Sequence, residues 1–232
     1  MGSDAKCTPW TGVCFAAMQE LAVDMVIEGY MNGVFPMVDP DSGDLEWYFP
    51  DPRAILELDA FHVPRSLART IRSGRFEVRT DTCFDEVLAA CGEPSTGRED
   101  TWIDQRIAIA CGQLHGLGLA HSVEAWLEGR LVGGLYGVRL GGAFFGESMF
   151  SRPDAGGRDA SKVCLVWLVD HLRAIGASLL DVQFMTEHLQ RFGASEIGAD
   201  EYLARLREAT GSECRWTPHS APPRAGELPR SG

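Results

Sequence analysis

A stretch in the middle of the chain constrains the fold more than any other part. Residues 121–150, HSVEAWLEGRLVGGLYGVRLGGAFFGESMF, alternate apolar and polar side chains and are interrupted at Glu-Gly and Gly-Gly pairs. Alternation with a period of two is typical of strands, and glycine pairs are typical of tight turns between them. The segment therefore predicts a meander of three antiparallel strands at 121–127, 131–138 and 142–146.

The segments on either side of the meander mix helices with strands. Their patterns predict helices at 15–31, 65–73, 83–91, 103–117, 160–175 and 201–209, and strands at 54–58, 76–81 and 178–184. This combination predicts an α+β fold with a mixed, largely antiparallel sheet flanked by helices. Three antiparallel strands followed by a helix and a further strand are also the central order of GNAT-like acyltransferases, an analogy that concerns the fold alone.

The two ends of the chain differ from its centre. Residues 34–53 form a turn-rich segment with four prolines and several aromatic residues, which we expect to pack on a core or to line a site. A chain of 232 residues is long enough for a sizeable core and a small accessory domain. We predict a small N-terminal domain at 1–60, a larger domain at 61–210 and a loosely ordered tail at 211–232.

Several functional classes are disfavoured by what the sequence lacks. The seven cysteines include no C-x-x-C pair, so a disulfide framework is not indicated and reduced thiols are expected. No apolar run reaches the length of a membrane span, and the N-terminus lacks the pattern of a secretory signal. We therefore predict a cytoplasmic protein without a membrane anchor. Neither a metal-ligand spacing nor a nucleotide-binding P-loop is present.

The charge is unevenly distributed. A net charge of −12 argues against broad, non-specific binding of nucleic acid. Between Pro52 and Thr80, however, the sequence contains six arginines and only three acidic residues. Arg65, Arg69 and Arg72 have the spacing of one helix face. This face is either an ordinary solvated surface or a local patch that contacts phosphates, and the sequence leaves both open.

Three polar residues are candidates for chemistry. Asp181 and Gln183 are two positions apart in the apolar segment LLDVQF, so they share one face of the predicted strand. Glu147 follows AFFG, where we expect the third strand of the meander to end. A carboxylate in an apolar strand is costly to bury unless it is paired or used. The alternative for Asp181 is a structural role, in a turn or in a pair with an arginine.

These residues also carry a resemblance to a known family. The segments AHSVEAW, LVGGLYGV, FFGESMFSR, ASK, LLDVQ and RFGASEI, preceded by GYMNGVFPM, FPDPRAIL, RSL and TWI, resemble the bacterial leucyl/phenylalanyl-tRNA–protein transferases. The resemblance extends from about residue 27 to about residue 206. The combination of GESMFSR with LLDVQ is its most specific part.

The resemblance implies a fold, a reaction and a set of partners. It implies a small N-terminal domain, a GNAT-like larger domain and no metal or diffusible cofactor. The implied reaction moves Leu, Phe or, less well, Met from leucyl-, phenylalanyl- or methionyl-tRNA to the N-terminal Arg or Lys of acceptor proteins, which are thereby marked for degradation. We expect the protein to act as a monomer.

The resemblance also assigns residues. It makes Asp181 and Gln183 the catalytic pair and Glu147 the catalytic glutamate. It places seven residues at or beside the aminoacyl and 3′-adenosine pockets: Trp102, Leu135, Phe144, Phe145, Met149, Leu165 and Leu168. Tyr30 matches a tyrosine near the acceptor site. Met37 stands where the family usually has a tryptophan against the terminal adenosine, and we expect Trp47 or Tyr48 to supply the ring.

Three rival interpretations remain, two of them enzymatic. An acyl-CoA-dependent GNAT-like N-acyltransferase would need a pyrophosphate-binding glycine loop, which RPDAGGRDASK matches poorly. A Fem-like transferase would share the fold and the tRNA donor but not these motifs. A tRNA- or degron-binding homologue with weakened catalysis is the non-enzymatic alternative, and the presence of Asp181, Gln183 and Glu147 disfavours it.

Overall fold

A small antiparallel sheet lies at the N-terminal side of the chain. The computed structural model describes residues 8–9, 21–39, 42–93 and 102–217. The sheet has the order β1-β3-β2, formed by β1 (Thr8–Pro9), β2 (Phe35–Val38) and β3 (Leu45–Phe49). Helix α1 (Val23–Met31) precedes β2. The predicted helix at 15–31 thus begins at Val23, and residues 15–20 lie outside the described residues. The turn-rich segment contains β2 and β3, which the sequence analysis missed.

The larger sheet has seven strands in the order β10-β4-β9-β8-β7-β6-β5. Their bounds are β4 (Arg53–Leu56), β5 (Glu77–Thr80), β6 (Ala120–Leu127), β7 (Arg130–Leu140), β8 (Ala143–Ser151), β9 (Leu179–Gln183) and β10 (Ala194–Ile197). Every neighbouring pair is antiparallel except β8 and β9, which are parallel. The predicted meander of three strands is β6–β7–β8. A mixed, largely antiparallel sheet is therefore confirmed.

Helices cover both faces of this sheet. They are α2 (Arg65–Arg72), α3 (Phe84–Gly92), α4 (Gln105–Gly116), α5 (Ala160–Ala174), α6 (Glu187–Gln190) and α7 (Ala199–Thr210), with a short 3-10 helix at Pro153–Ala155. One apolar core contains residues of α5 and α2, and a second contains residues of α1, α3, α4 and α7. Burial of apolar side chains on both faces stabilises the layered arrangement. The predicted α+β class is confirmed.

The third strand of the meander is longer than predicted. The prediction ended this strand at residue 146, but β8 continues to Ser151. Gly137 pairs with Gly146 and Tyr136 pairs with Ser148, so Glu147 has no residue opposite it on β7. Such an extra residue forms a β-bulge, which bends the strand and turns a side chain in a new direction. Placing Glu147 at the end of the sheet was therefore wrong.

The last described residues pack against the larger sheet. Arg139 donates a hydrogen bond to the carbonyl of Cys214 over 2.8 Å, and the rings of Trp216 and His121 stack with 4.1 Å between their centroids. This packing of residues 211–217 differs from the loose order predicted for 211–232, and 218–232 lie outside the described residues. Strand β4 pairs with β9 and β10, although it falls within the predicted N-terminal domain. The boundaries at residues 60 and 210 stay predictions.

Candidate active site

The site lies where the two parallel strands of the larger sheet separate. Pairing of β8 with β9 runs from Ala143 opposite Leu179 to Phe145 opposite Asp181 and goes no further. Beyond that point β8 contains its bulge, and Gln183 adopts the left-handed conformation with φ of 63°. A non-glycine residue in this conformation is uncommon and clusters at functional sites. The separation leaves a cavity of about 310 Å³ between the strands.

The cavity wall is mainly apolar, and it includes several of the predicted pocket residues. Its lining consists of Trp102, Leu135, Tyr136, Gly146, Glu147, Ser148, Met149, Leu165, Leu168, Leu180, Val182, Thr186, His188 and Leu189. The predicted Trp102, Leu135, Met149, Leu165 and Leu168 are all present. The side of the cavity formed by residues 182–189 was missed, because α6 is too short to show a helical period in the sequence.

Phe144 and Phe145 do not line this cavity, and their place at or beside the substrate pockets stays a prediction. Both are fully buried, and as neighbours on a strand they point to opposite faces of the sheet. Phe144 belongs to the core beneath α5 and stacks on Trp216, with 5.9 Å between ring centroids. Phe145 belongs to the other core and packs on Tyr30, at 4.7 Å. Both aromatic rings are therefore core residues that support the site from behind.

Met37 lies beside the cavity and is not part of its lining. It is partly buried on β2, and the next residue, Val38, donates its backbone N–H to the carbonyl of Trp102 over 3.4 Å. Trp47 packs against α1 so closely that a Cβ on Gly29 would lie 2.2 Å from its ring. Trp47 is therefore held by α1. Tyr48 is partly exposed and donates a hydrogen bond to Glu46 over 3.0 Å.

Glu147 is the carboxylate of the cavity wall. Its Oε1 accepts hydrogen bonds from the Tyr30 hydroxyl at 2.7 Å and from the Gln183 amide nitrogen at 3.0 Å. Burial raises the pKa of Glu147 to about 7, although the hydrogen bonds from Tyr30 and Gln183 act in the opposite direction. This carboxyl group therefore changes its charge near neutral pH, as an acid–base catalyst requires.

Asp181 is held from several directions and is fully buried. Arg53 binds both of its oxygens, with Nε 2.9 Å from Oδ1 and Nη2 2.7 Å from Oδ2. The Tyr202 hydroxyl donates to Oδ2 over 2.6 Å, and the backbone N–H of Gln183 donates to Oδ1 over 2.8 Å. Burial lowers the pKa of Arg53, but the charge of Asp181 outweighs this and raises it overall. Asp181 thus pairs with an arginine, which is the alternative role that the sequence left open for it.

Arg53 and Tyr202 are part of this site, although neither was predicted from the sequence. Arg53 was counted with the basic segment at 52–80, yet its side chain is fully buried and also donates to the carbonyl of Gly33 over 3.0 Å. The available signal was its place beside the apolar residues of the β4 segment RAIL, where an unpaired charge would be costly. Tyr202 gave no such signal.

The structure brings the three candidate catalytic residues together. Gln183 connects them, because its side chain reaches Glu147 and its backbone reaches Asp181. Arg65, Arg69 and Arg72 are exposed on α2, and none of the three contributes to the cavity lining. Within the described part of the chain, these three arginines form no ion pair. The role of each of these residues remains a prediction.

Among residues 21–39, 42–93 and 102–217, no cluster of three or more His, Cys, Asp or Glu side chains has the geometry to hold a metal ion. In the same part of the chain, none of the helices has both the length and the apolar character needed to cross a bilayer.

An apolar slot with Glu147 in its wall and the Gln183 amide bonded behind that carboxylate, built on a mixed α+β sheet, suits an enzyme of the acyl-transferring class. The family model for the leucyl/phenylalanyl-tRNA protein transferase matches residues 55–207, and the model for that family's N-terminal domain matches residues 19–51. The chain therefore belongs to the leucyl/phenylalanyl-tRNA–protein transferase family.

Individual relatives agree with this membership. A leucyl/phenylalanyl-tRNA–protein transferase of Paramagnetospirillum magneticum is 52% identical over 205 residues, which cover 88% of this chain and 96% of the relative. Proteins of the same name from Rhizorhabdus wittichii and Rubrobacter xylanophilus are 54% and 55% identical. Those two alignments cover 84% and 82% of this chain, and 77% and 95% of the relatives.

Proposed function

We propose that this protein transfers Leu, Phe or Met from aminoacyl-tRNA to the N-terminal Arg or Lys of acceptor proteins, which marks them for degradation through the N-degron route. The observation that carries the proposal is the apolar cavity whose wall contains Glu147, itself hydrogen-bonded to the Gln183 amide, in a chain of this family. We further propose that the protein acts as a monomer. We also propose that it acts in the cytoplasm, where its donor, charged tRNA, is found.

The cavity favours an uncharged donor side chain. Leu135, Leu168 and Met149 present aliphatic surface, and a charged side chain would lose its hydration there without gaining a partner. A cavity of about 310 Å³ accommodates an aliphatic or benzyl group. Apolar slots separate similar apolar groups by only about 1–3 kcal/mol, so the enzyme should accept more than one of these donors.

The chemistry needs no diffusible cofactor in this proposal. The aminoacyl ester of the donor is already activated, and the attacking α-amine has a reference pKa of about 8, so part of it is neutral at pH 7. What the protein must supply is positioning, help with proton loss and stabilisation of the developing charge. Because the Gln183 amide nitrogen donates to Glu147, its carbonyl oxygen is left to accept a hydrogen bond from the amine.

The charges of the protein fit both substrates. The net charge of −12 attracts an acceptor whose N-terminus carries Arg or Lys. The tRNA, which is negatively charged, would instead be attracted by a local positive surface on α2. There Arg65, Arg69 and Arg72 would contact its phosphates. Salt should then weaken the binding of tRNA through a small number of contacts.

A transfer assay with defined donors and acceptors tests this function. Radiolabelled leucyl-tRNA or phenylalanyl-tRNA is incubated with the protein and with peptides that begin with Arg, Lys or Ala and are otherwise identical. We expect label to move to the Arg and Lys peptides and not to the Ala peptide. Absence of transfer to every peptide would contradict the proposal, and consumption of acetyl-CoA without tRNA would support the acyl-CoA-dependent alternative.

A further inference from the structure

The two carboxylates of the site differ in how many of their hydrogen-bonding positions are occupied. Asp181 accepts two hydrogen bonds on each oxygen, from Arg53 and Gln183 on Oδ1 and from Arg53 and Tyr202 on Oδ2. A carboxylate has about four lone-pair sites, so Asp181 has none left for a substrate. It is also fully buried and is absent from the cavity lining.

Glu147 has the opposite character. Both of its hydrogen bonds, from Tyr30 and Gln183, end on Oε1. Within the described part of the chain Oε2 accepts no hydrogen bond, and the residue lines the cavity and is partly exposed. The bulge in β8 explains the position of this side chain. It leaves Glu147 without a partner on β7 and directs its side chain towards β9.

We propose that Glu147 is the group that takes the proton from the attacking amine, and that Arg53 and Tyr202 are positioning residues that hold Asp181, and through it Gln183, in place. This inference rests on the proposed function. Asp181 is then a residue that orders Gln183 and does not touch the amine, because its hydrogen-bonding positions are already used within the protein. Glu147 is the one carboxylate that lines the cavity in the described residues.

The step balances without a further reactant. The lone pair of the acceptor's α-amine attacks the ester carbonyl of the donor, and a C–N bond forms. Glu147 accepts the proton that leaves the nitrogen, then gives it to the 3′ oxygen of the tRNA as the C–O bond breaks. The products are a peptide bond and a free 3′-hydroxyl, and Glu147 returns to its starting charge.

The surroundings of Glu147 support a carboxyl group that exchanges protons near neutral pH. Burial, which is the largest cause, raises its pKa to about 7. The ionisable groups that face it come from five elements: Tyr30 of α1, Arg53 of β4, Cys111 of α4, Tyr136 of β7 and Asp181 of β9. Burial also raises the pKa values of Tyr30, Tyr136 and Cys111, so these stay neutral where Glu147 titrates.

The pH dependence of single-turnover transfer tests the inference. Saturating protein is mixed with radiolabelled leucyl-tRNA and an Arg-peptide between pH 5.5 and 9. For the unaltered protein, the rate should rise as Glu147 loses its proton, with a midpoint of about 7. Glu147→Gln keeps an oxygen that accepts from Tyr30 and Gln183 but cannot take a proton. It should lower the rate about 100-fold or more and remove this midpoint, leaving the dependence on the amine itself.

Matched variants distinguish the loss of a proton acceptor from the loss of structure. Glu128→Gln makes the same change on an exposed hairpin turn and should leave the rate and the profile unaltered. The affinity of Glu147→Gln for leucyl-tRNA should change less than threefold. A Glu147→Gln profile that keeps the midpoint near 7 would overturn the inference while leaving the proposed function intact. Absence of transfer by the unaltered protein would instead remove the proposed function.

The positioning role has a test of its own. Tyr202→Phe removes one hydrogen bond to Asp181 and leaves both bonds from Arg53. We expect a rate lowered about tenfold with the midpoint near 7 retained, because Glu147 is untouched. Asp181→Asn should be slower still, with the same midpoint and little change in tRNA affinity. If Asp181→Asn folds and loses the midpoint, Asp181 is the proton acceptor and the inference is wrong. If Asp181→Asn does not fold, the Tyr202→Phe profile decides: a retained midpoint supports the inference, and a lost midpoint overturns it.

Discussion

The side-chain amide of Gln183 donates a hydrogen bond to Oε1 of Glu147 over 3.0 Å, across the gap between β8 and β9. Gln183 can reach across because its backbone turns into the left-handed conformation, with φ of 63°. Its backbone N–H binds Asp181 at the same time, and this bond stabilises an otherwise unfavourable conformation. Gln183 thus connects Asp181, in the buried core of the sheet, with Glu147, in the wall of the cavity.

Removing the Gln183 amide should therefore impair transfer more than folding. In Gln183→Ala, Glu147 loses one hydrogen bond and the attacking amine loses its acceptor. We expect the rate of transfer to fall about 100-fold to 1,000-fold, which is typical for the loss of one well-placed polar group in a catalytic site. Single-turnover assays measure this. Gln113→Ala, an exposed glutamine on α4, is the matched control, and an equal loss in both variants would contradict the assignment.

The buried pair of Arg53 and Asp181 should be essential to stability. In Arg53→Met, Asp181 loses two hydrogen bonds and remains as a buried charge without its cation. We expect the free energy of unfolding to fall by about 3–5 kcal/mol, as measured by urea denaturation. Replacing both residues, as in Arg53→Met with Asp181→Leu, should cost less than the sum of the single changes. Additive losses would mean that the two side chains do not act as a pair.

Several elements could be predicted from the sequence because their signals are local. Alternation of apolar residues located β6, β7 and β8, and the apolar segment around Asp181 and Gln183 located β9. The bulge at Glu147 could not be predicted, because it depends on a slip in pairing with β7 that leaves no local pattern. The contact of Arg53 with Asp181 spans 128 positions, so only the fold reveals it.

The ends of the chain show the same limit. Trp216 lies in a segment without periodicity, where the sequence analysis expected loose order, yet it stacks on His121. A single large aromatic side chain can order a short segment by burying its surface, and periodicity does not detect such a contact. The full burial of Phe144 and Phe145 shows a related limit. A motif assigns positions to a site but does not say which face of the strand each side chain occupies.

Met149 should influence which donor is preferred. It lines the cavity and is only partly buried, so Met149→Ala enlarges the slot without removing a central core residue. We expect transfer of Phe relative to Leu to rise by about tenfold, within the 1–3 kcal/mol that apolar slots supply. Competition between phenylalanyl-tRNA and leucyl-tRNA measures the ratio. Met31→Ala, at an exposed methionine of α1, should leave it unchanged. No shift in Met149→Ala would place the donor side chain elsewhere.

The arginines of α2 should control the binding of tRNA through salt-sensitive contacts. Arg69→Ala should weaken binding of both leucyl-tRNA and phenylalanyl-tRNA equally and reduce the slope of log K against log salt concentration by about 1. Arg130→Ala, on an exposed hairpin, is the matched control and should leave the slope unaltered. Titrations between about 50 and 200 mM salt give both slopes. If Arg69→Ala behaves as Arg130→Ala does, the α2 surface is an ordinary solvated helix face.

The ionisation of Glu147 should reduce stability above neutral pH. Burial raises its pKa in the folded protein to about 7, whereas the value in an unfolded chain is near 4.5. The uncharged form is therefore favoured in the folded state, and its contribution to stability is complete below pH 4.5 and is lost as the pH rises through 7. Glu147→Gln stays uncharged, so its stability relative to the unaltered protein should increase between pH 5 and pH 8, by at most about 3 kcal/mol. Urea unfolding at a series of pH values measures the difference, and Glu128→Gln should show none. A difference that stays constant across this range would mean that Glu147 does not titrate near 7 in the folded protein, and the proton-accepting role assigned to it would lose its physical basis.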